Sequence, residues 1–159
     1  MKRVLITGAL GQDGLILSKL YQKKNYKVFG FVKKKPKNGL KKVTYKINNL
    51  NSKNKINSHL QAIKPNIVLH LASTNKNFLN RANKKNYKIN YSQNLKCTKN
   101  LLNSIVKNKL KTRFIFAGSS LMFENNLKKV ITEKDHFKSA EHYGKYKIDS
   151  HKYILSLKK

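Results

Sequence analysis

The stretch that decides the fold of this chain is Val4-Leu-Ile-Thr-Gly-Ala-Leu-Gly-Gln-Asp-Gly14. Its apolar opening ends at Thr7, glycines follow at positions 8, 11 and 14, and an apolar periodic segment begins at Leu15. This order predicts a buried strand, a tight turn and then the N-terminus of a helix. Because glycine has no Cβ, main-chain N–H groups and the helix dipole can face a pyrophosphate. The stretch therefore predicts a dinucleotide-binding loop, with a plain strand-to-helix turn as the alternative.

The remainder of the chain alternates between strand-like and helix-like segments. Strands are predicted over residues 26–32, 43–47, 67–72 and 113–117, and helices over residues 15–24, 53–63, 84–108 and 141–157. Crossovers of this length fit right-handed βαβ units. The pattern predicts an α/β fold of the Rossmann type, a doubly wound parallel sheet in three α/β/α layers. The chain shows no linker that would mark a second domain.

Lysine dominates the composition. The formal net charge is +30, and the chain has 33 lysines and only three arginines. Such a charge suggests nucleic-acid or anionic-membrane binding. Proteins that recognise nucleic acids favour arginine for bidentate contacts, however, whereas a lysine and asparagine excess along the whole chain is typical of coding bias. We expect weak, salt-sensitive binding to polyanions, with no specific nucleic-acid partner and no membrane partner, and keep a basic nucleic-acid-binding protein as a distant alternative.

Cys97 is the single cysteine, which excludes an internal disulfide and fits a reducing compartment. No apolar run approaches 18 residues, and the chain opens directly on its first strand. These features predict a cytoplasmic protein. No metal site is predicted.

Tyr143 and Lys147 lie four residues apart in the last helix, on the same face. A lysine ammonium beside a tyrosine hydroxyl favours the phenolate, which makes the tyrosine a general acid or base. With eight tyrosines and 33 lysines this spacing arises by chance, so the position of the pair carries the argument. Ser119, at the carboxyl end of the fifth strand, precedes Tyr143 by 24 residues. Ligands bind at the carboxyl ends of such strands, so one crevice is expected at Thr7-Gly8, Phe31-Val32, Leu71-Ala72 and Gly118-Ser119.

Three motifs occur in order: Thr7-Gly-x-x-Gly-x-x-Gly14, Phe114-Ile-Phe-Ala-Gly-Ser-Ser120 and Tyr143-Gly-Lys-Tyr-Lys147. In this order the chain resembles the extended short-chain dehydrogenase/reductase superfamily, the NAD(P)-dependent nucleotide-sugar epimerases and dehydratases. Thr98-Lys-Asn-Leu-Leu102 is similar to the family's central helix, with Cys97 in place of a glycine. The resemblance covers nearly all of this chain but only the N-terminal half of a typical member. It implies an NAD(P)-binding Rossmann domain over residues 1–159 that ends after the tyrosine helix, with the C-terminal substrate domain absent.

The resemblance also implies roles for individual residues. Ser119 would hydrogen-bond the reacting sugar oxygen, with Ser120 as the alternative, and Tyr143 would shuttle the proton. Lys147 would support the tyrosine and hold the nicotinamide ribose, and Asn94 would complete the catalytic tetrad. The residues implied for cofactor binding are Thr7, Gly8, Gly11, Gln12, Asp13, Gly14, Lys33, Lys34, Asn49, Leu50, Leu71, Ala72, Ser73, Tyr143 and Lys147.

Two short stretches, residues 11–14 and residues 33–34, indicate which substrate and cofactor to expect. The sequence Gly11-Gln-Asp-Gly14 is most similar to the loop of the GDP-mannose 4,6-dehydratases, so the expected substrate is a nucleotide sugar, GDP-mannose first, with hydride transfer at the sugar C4. Lys33 and Lys34 stand where an acidic residue would bind the ribose 2′-hydroxyl. Cations there suit a 2′-phosphate, so NADP is expected, with NAD as the alternative.

Leu121 departs from the family pattern, because dehydratases place an acid two residues after the catalytic serine or threonine. Leucine cannot transfer a proton, and this departure supports an alternative function. The chain would then be a non-catalytic dinucleotide-binding remnant, or a subunit that needs a partner. The expected partners are accordingly a nucleotide-sugar substrate and either a second copy of the chain or a complementing chain.

Overall fold

The computed structural model describes residues 1–74, 84–124 and 130–157. Within these ranges five strands and four helices alternate, apart from a loop without a helix between the second and third strands. The elements are β1 (Arg3–Thr7), α1 (Gln12–Lys23), β2 (Lys27–Val32), β3 (Val43–Ile47), α2 (Lys53–Ile63), β4 (Ile67–His70), α3 (Lys84–Lys107), β5 (Arg113–Phe116) and α4 (His142–Ser156).

The strands form one parallel sheet in the order β3-β2-β1-β4-β5. The chain runs outward from β1 to one edge and then returns to build the other side, which confirms the predicted doubly wound, Rossmann-type fold. Thr7 lies opposite Phe31 on β2 and opposite His70 on β4. The carboxyl ends of these three strands are therefore level, and the direction of winding changes between β1 and β4.

Apolar side chains cover both faces of the sheet, as parallel sheets require. On one face, strand residues such as Leu5 and Val68 pack with Leu60 of α2 and Leu101 of α3. On the other face, Val4, Ile6, Val28 and Leu69 pack with residues of α1. The sheet with α1 on one side and α2 and part of α3 on the other makes the three layers expected from the sequence.

The observed elements differ from the predicted ones mainly at the glycine loop. Helix α1 begins at Gln12, three residues before the predicted start at Leu15, because the helix is entered at Gly11 and includes Gly14. Strand β4 ends at His70 rather than at residue 72. The predicted bounds of β3 and α2 agree with the observed ones to the residue.

The chain divides into two compact units. The first unit comprises residues 1–73 and 100–117 and contains the whole sheet with α1 and α2. The second comprises residues 74–99 and 118–159 and contains α4 and the first part of α3. None of the helices in the described ranges is long and apolar enough to cross a membrane.

Candidate functional site

The glycine loop of the first unit is closely packed against the end of β4. Gly8 has a φ of +72°, a left-handed conformation that side-chain-bearing residues rarely adopt. A Cβ added to Gly8 would lie 3.0 Å from the backbone nitrogen of Ala72. Both the backbone angle and the neighbouring strand therefore require glycine at this position.

Gly14 and Gly11 differ in the space around them. A Cβ on Gly14 would lie 2.3 Å from the carbonyl oxygen of Gly8, so only glycine lets α1 pack this closely on the loop. A Cβ on Gly11 would meet a single atom within 4 Å, the same oxygen at 3.3 Å. No side chain caps α1, which leaves its first N–H groups to a ligand or to solvent. An anion such as a pyrophosphate fits this N-terminus, because the dipole is positive there.

Thr7 is fully buried and its side chain is bonded within the protein. Its Oγ1 lies 2.7 Å from His70 Nδ1 and accepts a hydrogen bond from the Ala72 N–H at 3.1 Å. The hydroxyl therefore joins the ends of β1 and β4 beneath the loop. Sequence reasoning missed His70, although a histidine that ends an otherwise apolar strand is the kind of signal that could have identified it.

The other residues predicted to bind the cofactor in the first unit lie at the carboxyl ends of the strands or just after them. Lys33 and Lys34 follow β2 and are exposed. The Asn49 carboxamide oxygen accepts the Asn51 N–H at 3.0 Å and so stabilises the turn after β3. The remaining predicted positions are the exposed Gln12, Asp13 and Ser73 and the half-buried Leu50, Leu71 and Ala72.

In the second unit, Ser119 begins a 3₁₀ turn over Ser120–Met122. Its Oγ accepts a hydrogen bond from the Leu121 N–H at 3.2 Å, so its own O–H can donate to another oxygen. The rival, Ser120, is exposed and lies within the turn. Ser119 belongs to a different compact unit from the loop glycines, so the single crevice stays a prediction.

Lys147 is buried in the second unit against two tyrosine rings. Its side chain is only 2% exposed, and its Nζ lies 5.5 Å from the ring centroid of Tyr143 and 5.2 Å from that of Tyr146. These positions follow from helical spacing, because residues 143 and 147 lie on one face of α4. Burial lowers the pKa of Lys147 from 10.5 to about 8, since desolvation penalises the charged form.

Asn94 is buried on α3 and holds the chain that follows β4. Its Oδ1 accepts the Thr74 N–H at 2.9 Å, and its Nδ2 donates to the Thr74 carbonyl oxygen at 2.9 Å. In addition, Thr98 Oγ1 donates to the Asn94 carbonyl oxygen at 3.2 Å. The amide of Asn94 is thus occupied by the backbone, and the structure assigns it a bracing role beside its predicted place in the catalytic set.

Two cavities are lined by described side chains of the second unit. The larger, of about 730 Å³, is lined by the cations Lys88, Lys138, Lys145 and Lys152, by apolar and aromatic side chains, and by Asp149. Asp149 accepts a hydrogen bond from the Tyr91 hydroxyl, and this bond raises the pKa of Tyr91 to about 12. The smaller, of about 10 Å³, lies between α3 and α4 and includes Tyr143 in its lining.

A family model described as the NAD dependent epimerase/dehydratase family matches residues 4–159. The chain belongs to this family. The match covers the glycine loop, the serine turn and the tyrosine–lysine pair in one alignment, which confirms the resemblance drawn from the three motifs. Among curated proteins, no sequence matches the chain.

Three solved structures, two of them described as epimerases, share the fold of this family member. The UDP-Glc/GlcNAc 4-epimerase of Campylobacter jejuni superimposes with a TM-score of 0.85 at 16% identity, over 98% of this chain and 49% of its own. The Bordetella bronchiseptica enzyme WbmH, solved with NAD⁺, gives a TM-score of 0.79 at 19% identity, over 98% and 53%. The UDP-glucose 4-epimerase of Thermotoga maritima, solved with UDP-glucose, gives a TM-score of 0.83 at 19% identity, over 97% of this chain and 50% of its own. The chain therefore spans about half the length of these structures.

Proposed function

We propose that this chain is the cofactor-binding part of an NAD(P)-dependent enzyme that modifies nucleotide sugars as an epimerase or a dehydratase. The observation that carries the proposal is the burial of Lys147 against Tyr143. Burying a cation is costly, because burial removes the charged group from water. Ionisable groups with shifted pKa values cluster at functional sites, and a lysine that supports an acid–base tyrosine is such a group.

The first unit supplies the binding half of the proposal. Gly8 and Gly14 allow the loop to fold closely over the start of α1, and Gly11 leaves the helix N-terminus open. This arrangement would hold the pyrophosphate of a dinucleotide through backbone N–H groups. When bound, the nicotinamide would exchange a hydride with the sugar C4.

The second unit supplies the proton chemistry. The Ser119 Oγ accepts a hydrogen bond from the Leu121 N–H, so its own hydrogen would be available to donate to a sugar oxygen. Tyr143 would take or return the proton of that sugar hydroxyl, with the Lys147 ammonium stabilising the negative charge of the oxygen. Asn94 would act by fixing the backbone at Thr74.

Two finer assignments belong to this proposal. NADP is the cofactor we favour, because Lys33 and Lys34 are exposed directly after β2, where a 2′-phosphate would lie. NAD is the alternative, and it is the cofactor bound in the WbmH structure. GDP-mannose is the first substrate to test because of Gln12 and Asp13, and UDP-glucose is the second, because it is bound in the Thermotoga maritima structure.

The experiment combines dinucleotide binding with hydride transfer. The purified chain, with each dinucleotide and each nucleotide sugar, is compared with Tyr143→Phe and with the control Tyr153→Phe on the same helix. We expect all three proteins to bind the dinucleotide. Hydride transfer, followed through the conversion of the nucleotide sugar to product, should fall about 10²- to 10⁴-fold only in Tyr143→Phe. Equal transfer by Tyr143→Phe and the wild type would contradict the assigned role.

The second candidate is a non-catalytic dinucleotide-binding protein, and Leu121 favours it. The side chain at this position is aliphatic. The backbone carbonyl oxygen of Leu121 packs against Gly144, because a Cβ on Gly144 would lie only 2.0 Å from that oxygen. This segment therefore has a packing role that is independent of catalysis. Stoichiometric dinucleotide binding without turnover of any nucleotide sugar would support this candidate and reject the enzyme.

A further inference from the structure

Tyr146 of α4 is a buried aromatic residue that the proposed mechanism does not use. Its side chain is 1% exposed, and it is the largest of the fully buried side chains in the described part of the chain. In sequence it lies between Tyr143 and Lys147, the two members of the tyrosine–lysine pair. A spacing of three residues places it beside Tyr143 on the surface of the helix.

The ring of Tyr146 contacts the ammonium group of Lys147. The Lys147 Nζ lies over this ring, 5.2 Å from its centroid, and over the Tyr143 ring at 5.5 Å. Both distances suit a cation–π attraction, in which the negative face of an aromatic ring attracts a cation. Lys147 is itself only 2% exposed, so water screens this attraction little. The two rings therefore replace part of the hydration that burial removes from the ammonium.

The ring of Tyr146 also packs against the ring of Tyr143. The two centroids are 5.3 Å apart and the ring planes are inclined by 75°, which is the edge-to-face arrangement that aromatic pairs prefer. One buried ring thus contacts both the tyrosine and the lysine of the pair. Because protein interiors are closely packed, a fully buried ring gives both contacts a fixed position.

We propose that Tyr146 is a positioning residue for the tyrosine–lysine pair: its ring face keeps the Lys147 ammonium charged beside Tyr143, and its edge contact fixes the orientation of the Tyr143 ring. Without this ring, burial favours the neutral amine, which cannot stabilise a developing phenolate. The use of the pair in acid–base catalysis rests on the proposed function, whereas the contacts among the three side chains do not.

The same helix carries an exposed counterpart of this contact. Lys99 Nζ lies 5.1 Å from the ring centroid of Tyr153, nearly the distance found between Lys147 and Tyr146. Lys99 is exposed and Tyr153 is half-buried, so water competes with the ring for this ammonium. Since a cation–π contact is stronger when the pair is desolvated, removal of the ring should affect Lys147 much more than Lys99.

The test measures the pKa of Lys147 in the full chain labelled at the lysine Cε carbon, by NMR titration. The wild type is compared with Tyr146→Leu, Tyr146→Phe and the control Tyr153→Leu, and Lys147→Met identifies the signal. We expect Tyr146→Leu to lower the pKa of Lys147 by about 1 or more. Tyr146→Phe keeps the ring and should leave this pKa near the wild-type value. Tyr153→Leu should leave it unchanged.

An unchanged or higher pKa of Lys147 in Tyr146→Leu would overturn the proposal, and an equal fall in Tyr146→Phe would assign the effect to the hydroxyl instead of the ring. Should Tyr146→Leu fail to fold, phenylalanines with increasing ring fluorination at position 146 decide, because fluorine weakens the negative ring face at nearly constant shape. The pKa of Lys147 should then fall stepwise with each added fluorine, and a constant pKa along the series would refute the contact.

A second readout separates this proposal from the proposed function. If the chain transfers hydride, the alkaline limb of its pH dependence should move to lower pH in Tyr146→Leu by the amount that the pKa of Lys147 falls. The titrations themselves need neither dinucleotide nor turnover. A wild type that transfers no hydride would therefore count against the proposed function, while the pKa comparison would still decide the role of Tyr146.

Discussion

At the residue scale, Lys147 is the clearest case of an ionisable side chain that the fold removes from water. It is 2% exposed, and burial lowers its pKa to about 8. In the unfolded chain its pKa is the ordinary 10.5. The unfolded state therefore binds more protons than the native state between pH 8 and 10.5, so this lysine makes the free energy of unfolding rise with pH across that window.

We predict that Lys147→Met is more stable than the wild type at pH 7 and that the difference shrinks by pH 10. Below pH 8 the wild type keeps a charged, desolvated ammonium, which methionine removes at similar size. Urea denaturation at pH 7 and pH 10 measures the effect, with the exposed Lys145→Met as the control. The upper limit is pH 10 because the pKa of Tyr91 is raised from 10.0 to about 12 in the folded protein. Above pH 10 this tyrosine loses its proton in the unfolded state first, and the free energy of unfolding falls. A constant difference between wild type and Lys147→Met would show that the lysine does not titrate in this range.

At the scale of elements, the junction of β1 and α1 depends on two glycines for opposite reasons. Gly14 has no room for a Cβ because the loop backbone lies against it, whereas a Cβ on the exposed Gly11 would meet a single atom, the Gly8 carbonyl oxygen at 3.3 Å. The close packing at Gly14 shapes the turn, and the open space at Gly11 exposes the helix N-terminus. Substitution should therefore separate the folding role of the loop from its binding role.

We predict that Gly14→Ala lowers the free energy of unfolding by about 1–3 kcal/mol, because the new methyl group meets backbone that must move. Gly11→Ala should keep near-native stability and weaken dinucleotide binding roughly tenfold, about 1.4 kcal/mol. Gly118→Ala, whose Cβ would lie 3.7 Å from the Met122 sulfur, is the harmless control. Thermal unfolding and isothermal titration with NADP and NAD measure the two effects. If Gly11→Ala binds as tightly as the wild type, the ligand does not approach at this point.

At the scale of the whole molecule, the charge of +30 is spread along the chain and is mostly lysine. The cationic cavity of the second unit shows the same excess locally, since the described residues of its wall include four lysines and a single carboxylate. Lysine is a hydrated point charge without the bidentate geometry that reads bases. This charge therefore explains non-specific attraction without adding a recognition site.

We predict that binding to single-stranded DNA falls at least about 10³-fold between 50 and 200 mM salt and shows no sequence preference, because counterion release supplies nearly all of it. Dinucleotide binding through the loop backbone should change far less. Fluorescence anisotropy of labelled oligonucleotides at both salt concentrations measures DNA binding, and titration calorimetry at the same concentrations measures dinucleotide binding. Sequence-selective binding that persists at 200 mM would revive the nucleic-acid alternative.

The local pattern of the sequence was sufficient for the fold. Alternating strands and helices predicted the parallel sheet, and the bounds of β3 and α2 agree to the residue, because apolar periodicity and a breaking Pro65 act over short distances. The start of α1 could not be read in the same way. Gly14 has low helix propensity, and it is helical because of its packing against Gly8, a contact between segments.

The sequence by itself determined the family and the order of its motifs, since the glycine loop, Ser119 and Tyr143 with Lys147 are set by spacing along the chain. The tertiary structure decided which of these side chains are already bonded within the protein. Thr7 is bonded to His70 and Ala72, 63 and 65 residues away, and the amide of Asn94 is bonded to Thr74. Burial and hydrogen-bond partners depend on contacts between distant segments, and no local pattern encodes them.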